Sequence, residues 1–186
     1  IKKVKMAQQN SETDHLDSKR LKTAEPCCFD WEPRAIYFDK RVKKVSADSG
    51  EMIIHKGGCH CGDIRFEVEA PSSLVAWDCN CSMCAMKRNT HFVVPKSKLH
   101  FLGIQDPLNS EKLSCYTYGS HTAKHLFCKN CGVTSLYQPR SNPDGWGVTI
   151  HCLDPGTVQN VEIRRFDGTN WEDFIEGSGI QGFSKD

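Results

Sequence analysis

The sequence predicts a mainly β domain of short strands with a short helix near its carboxyl end, preceded by a polar extension. Three observations carry this. From Met52 onward, short apolar or alternating segments follow one another, separated by Gly, Pro and Asn. Alternation such as Ile64, Phe66, Val68 is the period-two pattern of strands buried on one face. Seven of the eleven cysteines fall in tight clusters within this same region, where they can clamp distant parts of the chain together.

Residues 1–50 are polar and charge-mixed, with basic runs at Lys19, Arg20, Lys22 and at Lys40, Arg41, Lys43, Lys44, and few apolar residues to bury. Such a composition reads as a mobile extension. Aromatics in CCFDWEP and AIYFD give it segments able to dock on the domain or on a partner. The domain proper is expected over 52–176. Its strands are read from IRFEVEA, THFVVP, KLHFL, SCYTYGS, HLFC, TSLY, GVTIHCL and VEIRRF. In NWEDFIEGSGIQGFSKD a short helix is expected over Trp171 to Glu176, with Gly177 and Gly179 ending regular structure and 177–186 left as a tail. No internal repeat of useful length is present.

With 24 basic and 23 acidic residues the formal charge is +1, so no global field draws the chain to nucleic acid or anionic lipid. In the extension, Glu12, Asp14, Asp17, Glu25 and Asp30 dilute the basic runs. No apolar run approaches the roughly 18 residues of a membrane span, and the first twenty residues lack the apolar stretch of a secretory signal. The expectation is an intracellular protein, cytoplasmic and/or nuclear, with no membrane partner. In a reducing compartment clustered cysteines more often hold metal or do chemistry than form disulfides.

The clusters are CHC (Cys59, Cys61), CNCSMC (Cys79, Cys81, Cys84) and FCKNCG (Cys128, Cys131), with Cys27, Cys28, Cys115 and Cys152 outside them. In an extended segment residues two apart project to one side, so Cys59 and Cys61 can grip one ion while His60 points away. A C-x-x-C turn does the same by curling its backbone, and Gly132 permits the dihedrals this needs. Joined, the two pairs form the closed four-thiolate shell usual for structural zinc. The triplet is left with three thiolates. Catalytic zinc characteristically keeps three protein ligands and an open position, where an incoming thiol loses its proton. The alternative is a fourth protein ligand from His60, His91, His121, His125, His151, Cys115 or Cys152, which would close this site as well.

The motifs GGCHCGDIRFEVEAP, WDCNCSMCAMKRNTHFVVP, HLFCKNCGVTSLYQPRSNPDGWG and HCLDPGTV resemble the family that joins centromere protein V with the glutathione-dependent formaldehyde-activating enzymes. The likeness covers Met52 to Glu176 and includes all seven clustered cysteines. HCLDPGTV and NWED bring the chain closer to the centromere protein V branch. The resemblance implies a zinc-containing Mss4-like fold with two Zn2+ per chain. It assigns Cys59, Cys61, Cys128 and Cys131 to a structural zinc, and Cys79, Cys81 and Cys84 to an active-site zinc. It implies glutathione as the thiol co-substrate and formaldehyde as the electrophile, a carbon–sulfur lyase reaction when written in reverse. Lys87, Arg88, Lys124 and Arg140 are cations near the motifs that the glutathione carboxylates would favour. A second expectation from the same resemblance is a non-catalytic zinc module that binds chromosomal, centromeric or cytoskeletal partners.

Overall fold

A computed structural model describes residues 51–186, and the extension expected over 1–50, with Cys27 and Cys28, lies outside the described residues. The domain is mainly β. An antiparallel three-stranded sheet holds β1 (Met52–Gly58), β2 (Arg65–Pro71) and β5 (Leu99–Phe101) in that order. The second, seven-stranded sheet contains β3 (Ser73–Cys79), β4 (Thr90–Pro95), β6 (Leu113–Tyr116), β7 (Lys124–Cys128), β8 (Leu136–Gln138), β9 (Gly145–Thr149) and β10 (Asn160–Phe166). Its order is β10-β3-β4-β9-β8-β7-β6. Every neighbouring pair is antiparallel except β10 with β3, which run parallel and set Phe166 beside Cys79.

Alternation dictates what each face buries. Along β2, Phe66, Val68 and Ala70 point into the larger core while Arg65, Glu67 and Glu69 stay half-buried. The middle strands of the large sheet are covered on both sides, which explains why SLVAWDC reads as a continuous apolar run with no period. Leu74 and Ala76 join the larger core, whereas Val75 and Trp77 face a second cluster with Val93, Phe166, Ile175 and Ile180. Trp77 lies edge-on to Phe166 and Phe183, with centroids 6.2 and 5.9 Å away. Truncating so buried an indole typically costs about 3–5 kcal/mol.

β1 and β3 are not among the strands expected from sequence. In MIIHKGG apolar Met52 and Ile54 lie exposed while His55 and Gly57 are buried, so hydrophobicity does not follow the strand's period, and SLVAWDC shows none. The paired glycines have a steric reason. A Cβ at Gly57 would come within 2.6 Å of the Cys152 carbonyl oxygen, and one at Gly58 within 2.2 Å of the Ile64 oxygen. GVTIHCL is only partly strand: β9 stops at Thr149, and Ile150–Cys152 forms a 3-10 turn.

Two α-helices are present among the described residues. α1 (Ser82–Lys87), not expected from sequence, follows β3. α2 (Trp171–Ser178) begins where expected and runs two residues further, with Gly179 in the left-handed region at φ 69 as its stop. Regular structure does not end there. A 3-10 turn over Ile180–Ser184 packs Ile180 into the second core, and buried Asn142 donates to the Ile180 carbonyl and to Ser184 Oγ at 3.0 and 2.8 Å. GSGIQGFS carries too few apolar residues to announce this by period. No helix among the described residues is long and apolar enough to cross a membrane.

Candidate metal centres and active-site cavity

The first cysteine cluster gathers at strand ends. Cys59 follows β1, Cys128 closes β7, and the sulfurs of Cys59, Cys61, Cys128 and Cys131 all lie within 4.8 Å of one another. Cys61 Sγ stands 3.5 Å from both Cys59 Sγ and Cys128 Sγ, far beyond a disulfide. Four sulfurs held at about 2.3 Å around a tetrahedral zinc sit about 3.8 Å apart, so the set fits that ion.

Both pairs ride on turns. The expectation of an extended CHC gives way to a turn at residues 60–61, in which Gly62, at φ 86, donates to the Cys59 carbonyl and the Ile64 N–H reaches Cys59 Sγ at 3.3 Å. Gly132 plays the matching part at φ 72, donating to the Cys128 carbonyl at 2.9 Å. The reason is geometric: two sulfurs two residues apart meet one ion more closely when the intervening backbone curls.

The thiols here cannot share charge evenly. Desolvation, then the neighbouring thiols, pushes Cys61 up to about 12. Burial works to raise Cys131 too, but donors from the Val133 and Cys61 backbone and the Cys61 and Cys128 thiols bring it down to about 6. The Cys131 thiolate forms readily while burial holds Cys59 and Cys61 up, so their ionisation calls for a cation.

The second cluster is built differently. Cys79 ends β3, Cys81 is the N-cap of α1, and Cys84 lies buried in its first turn. Their sulfurs also fall within 4.8 Å of one another, and no fourth His, Cys, Asp or Glu joins them among the described residues. Backbone N–H groups point at the sulfurs: Cys81 N is 3.4 Å from Cys79 Sγ, and Cys84 N is 3.5 Å from Cys81 Sγ. Hydrogen bonds from the Cys79 and Cys84 thiols lower Cys81 to about 2, whereas Cys81 first of all raises Cys79 to about 11, and both neighbours drive Cys84 far up. As in the first cluster, three thiolates at this spacing need a positive ion, and the soft donor set suits zinc.

The parallel pairing of β10 with β3 brings a loop over this triplet. A Cβ at Gly168 would sit 2.5 Å from Cys79 Sγ and 2.8 Å from Cys81 Cβ, so only glycine fits against the cluster. Asn80, between the first two cysteines, holds that loop. Its side-chain amide donates to Asp167 Oδ1 at 2.9 Å, and its oxygen accepts from the Thr169 N–H at 3.1 Å. The sequence offered one faint sign of this, a glycine just beyond a strand end, where close backbone approach is common.

Behind the triplet stands a stack of rings. Tyr118, His125 and Tyr137 lie nearly parallel, with centroids 5.5 and 5.3 Å apart, and His91 meets Tyr137 edge-on. Tyr137 Oη shares a 2.6 Å hydrogen bond with His91 Nε2. Burial pushes His91 down to about 4, keeping the imidazole neutral at physiological pH. Tyr118 is pushed up to about 12 by burial, then by the charge of the Cys81 sulfur and a hydrogen bond to it. Nothing in the spacing of these residues along the chain signals their convergence.

Triplet and rings open into a cavity of about 610 Å3, inside the roughly 300–1,000 Å3 range of small-molecule sites. His91 and His125 stand on its wall, while His121 bonds Thr117 Oγ1 at 2.8 Å and Cys115 is exposed on β6. Cys152 lies buried with its sulfur 3.9 Å from the Thr134 carbonyl.

The model of the glutathione-dependent formaldehyde-activating enzyme family matches residues 54–166, which span all seven clustered cysteines. A crystal structure of a Rhodobacter sphaeroides protein is similar at 33% identity, covering 59% of this chain and 99% of that one, with a TM-score of 0.46. The chain belongs to the glutathione-dependent formaldehyde-activating enzyme family.

Proposed function

We propose that this protein is a zinc-dependent, carbon–sulfur lyase-like enzyme that joins glutathione to formaldehyde or a similar small carbonyl. Two zinc ions per chain belong to the proposal, a structural one on Cys59, Cys61, Cys128 and Cys131 and an active-site one on Cys79, Cys81 and Cys84. The observation that carries it is the second cluster: three converging sulfurs, no fourth ligand among the described residues, and a small-molecule cavity in front of them.

A zinc ion held there would supply a Lewis-acidic position at which an incoming thiol gives up its proton. In the reaction a sulfur–carbon bond forms while the carbonyl π pair moves to oxygen. The proton lost by the thiol ends on that oxygen, giving S-hydroxymethylglutathione with nothing else consumed. The protein's part is mainly positioning. The N-cap at Cys81 and the end of β3 fix the three sulfurs, Gly168 lets the loop close against them, and Tyr118 lines the same wall as the triplet. Trp77, Phe166 and Trp171 keep much of the wall apolar, which limits water at the reacting carbon.

Exchange NMR of glutathione and formaldehyde with metal-quantified protein tests the proposal. Acceleration that vanishes in Cys81→Ser is expected, and equal rates with and without protein would refute it.

The finer placement in the centromere protein V branch rests on HCLDPGTV and NWED, and it carries a second reading, a zinc module for chromosomal or cytoskeletal partners. That reading expects salt-sensitive DNA or tubulin binding that weakens when residues 1–50 are removed. Binding unchanged by the deletion would exclude a role for the extension.

A further inference from the structure

We propose that Arg140 is the carboxylate anchor of the cavity and makes it selective for thiols that carry an acid group away from the sulfur. The inference rests on the reading of the Cys79, Cys81, Cys84 cluster as a thiol site.

The four cations that the sequence places near the motifs part company in the fold. Lys87 Nζ donates to Thr134 Oγ1 at 2.9 Å and lies over the Phe127 ring. Lys124 Nζ reaches back to the His121 carbonyl at 3.3 Å. Arg88 is the left-handed cap of α1, off the cavity wall. Arg140 alone stands on the wall, and among the described residues no Asp or Glu shares it. A guanidinium on a partly aromatic wall that carries no carboxylate favours an anionic group beside it over bulk water.

Its geometry suits a carboxylate. The guanidinium lies over the Trp171 ring, with Cζ 3.7 Å from the centroid, so its plane is fixed while its N–H edge is left to donate sideways. One donor, Nη2, contacts Glu172 Oε1. Glu172 is mostly exposed, at 73% of its side chain, and it is off the cavity wall. An exposed pair of this kind contributes little, so a ligand carboxylate can share the five-donor fork or displace Glu172. Sulfur at the triplet and an acid group at Arg140 would then be recognised at separate points of one cavity, as a cysteine-containing peptide with free carboxylates allows.

The test compares glutathione with its diethyl ester, which keeps the thiol and loses both carboxylates. Affinity is read by titration calorimetry and kinetics by exchange NMR, in wild type, Arg140→Gln and Arg140→Lys of equal zinc content. Wild type should prefer the acid by about tenfold or more, as expected for a charge-assisted bidentate contact. Arg140→Gln should remove that preference by raising KM for glutathione, with kcat within about twofold and ester binding unchanged. Arg140→Lys should keep part of it. Equal wild-type affinity for acid and ester overturns the anchor without any variant. Equal losses for both ligands in Arg140→Gln also overturn it, since that is the mark of a merely structural tie between Arg140 and α2. If wild type binds neither thiol, the thiol-site reading fails and the anchor fails with it. If wild type binds glutathione and Arg140→Gln binds it equally well, only the anchor falls.

Discussion

The two cysteine clusters use the same atom type in opposite architectural settings. Cys59, Cys61, Cys128 and Cys131 sit on paired glycine-relieved turns at the ends of β1 and β7, four sulfurs gathered within 4.8 Å of one another. Cys79, Cys81 and Cys84 sit at a strand end and a helix cap, three sulfurs facing a cavity, a ring stack and one close-approaching glycine. On the proposed reading the first arrangement would commit all four ligands to holding the chain together. The second would leave a coordination position over, beside a cavity of small-molecule size. Ligand count and neighbourhood, rather than ligand chemistry, separate a clamp from a site.

The largest expected effect tests that division directly. Cys128→Ser should lose the clamping ion and unfold the domain or lower its melting temperature by well over 10 °C, since structural zinc can contribute on the order of 10 kcal/mol. Cys81→Ser should lose one ion and all activity while melting within a few degrees of wild type. Metal analysis with circular dichroism reads both, and a Cys128→Ser protein of normal stability would break the comparison.

Next in size is Gly168→Ala. Its new methyl group meets Cys79 Sγ, so the triplet should lose its metal at a stability cost of about 1–3 kcal/mol. The four-cysteine ion should stay, leaving one zinc per chain by mass spectrometry.

Tyr137→Phe and Tyr118→Phe sharpen the picture of the rings. Removing the Tyr137 hydroxyl strands buried His91 Nε2 and should cost about 1–3 kcal/mol by denaturant titration. Removing the Tyr118 hydroxyl should leave stability within about 0.5 kcal/mol but change kcat several-fold. No kinetic change in Tyr118→Phe would remove the hydroxyl from the mechanism.

The smallest effect concerns the cavity's support. Lys185, then Ser184, hold Asp144 down to about 2, below its usual carboxylate value, and this pins the 3-10 turn that carries Ile180 to the wall. A depressed value in the fold means the contact contributes above about pH 4 and is lost as pH falls toward 2. Hydrogen exchange at Ile180–Ser184 should rise over that window, and Asp144→Asn should show the same exchange at neutral pH.

Much of this was legible in the sequence. Period-two runs located most strands, and the spacing of cysteines, Gly132 included, located both clusters. What stayed hidden depends on pairing across long distances. The continuous apolar run of β3 gives no period because both its faces are buried, and α1 is too short and too cysteine-rich to show one. The roles of Gly168, Asn80 and Tyr118 exist only because β10 lies parallel to β3 and β7 lies near α1, and no local pattern encodes either. Arg140 was visible as a nearby cation, but only the fold separates it from Lys87, Arg88 and Lys124.

That parallel pairing also bears on the order of assembly. Contacts of the four-cysteine clamp span 67 residues, from Cys61 to Cys128, and every ligand exists once the growing chain has passed Cys131. The loop over the triplet is tied to Asn80 from 87 residues downstream, at Asp167, with Trp171 and Ile180 later still. A chain emerging from the ribosome can therefore secure its clamp while the enclosure for a guest is unfinished. The segments that emerge last, with Gly168, Trp171 and Ile180, are therefore the ones that complete the cavity wall.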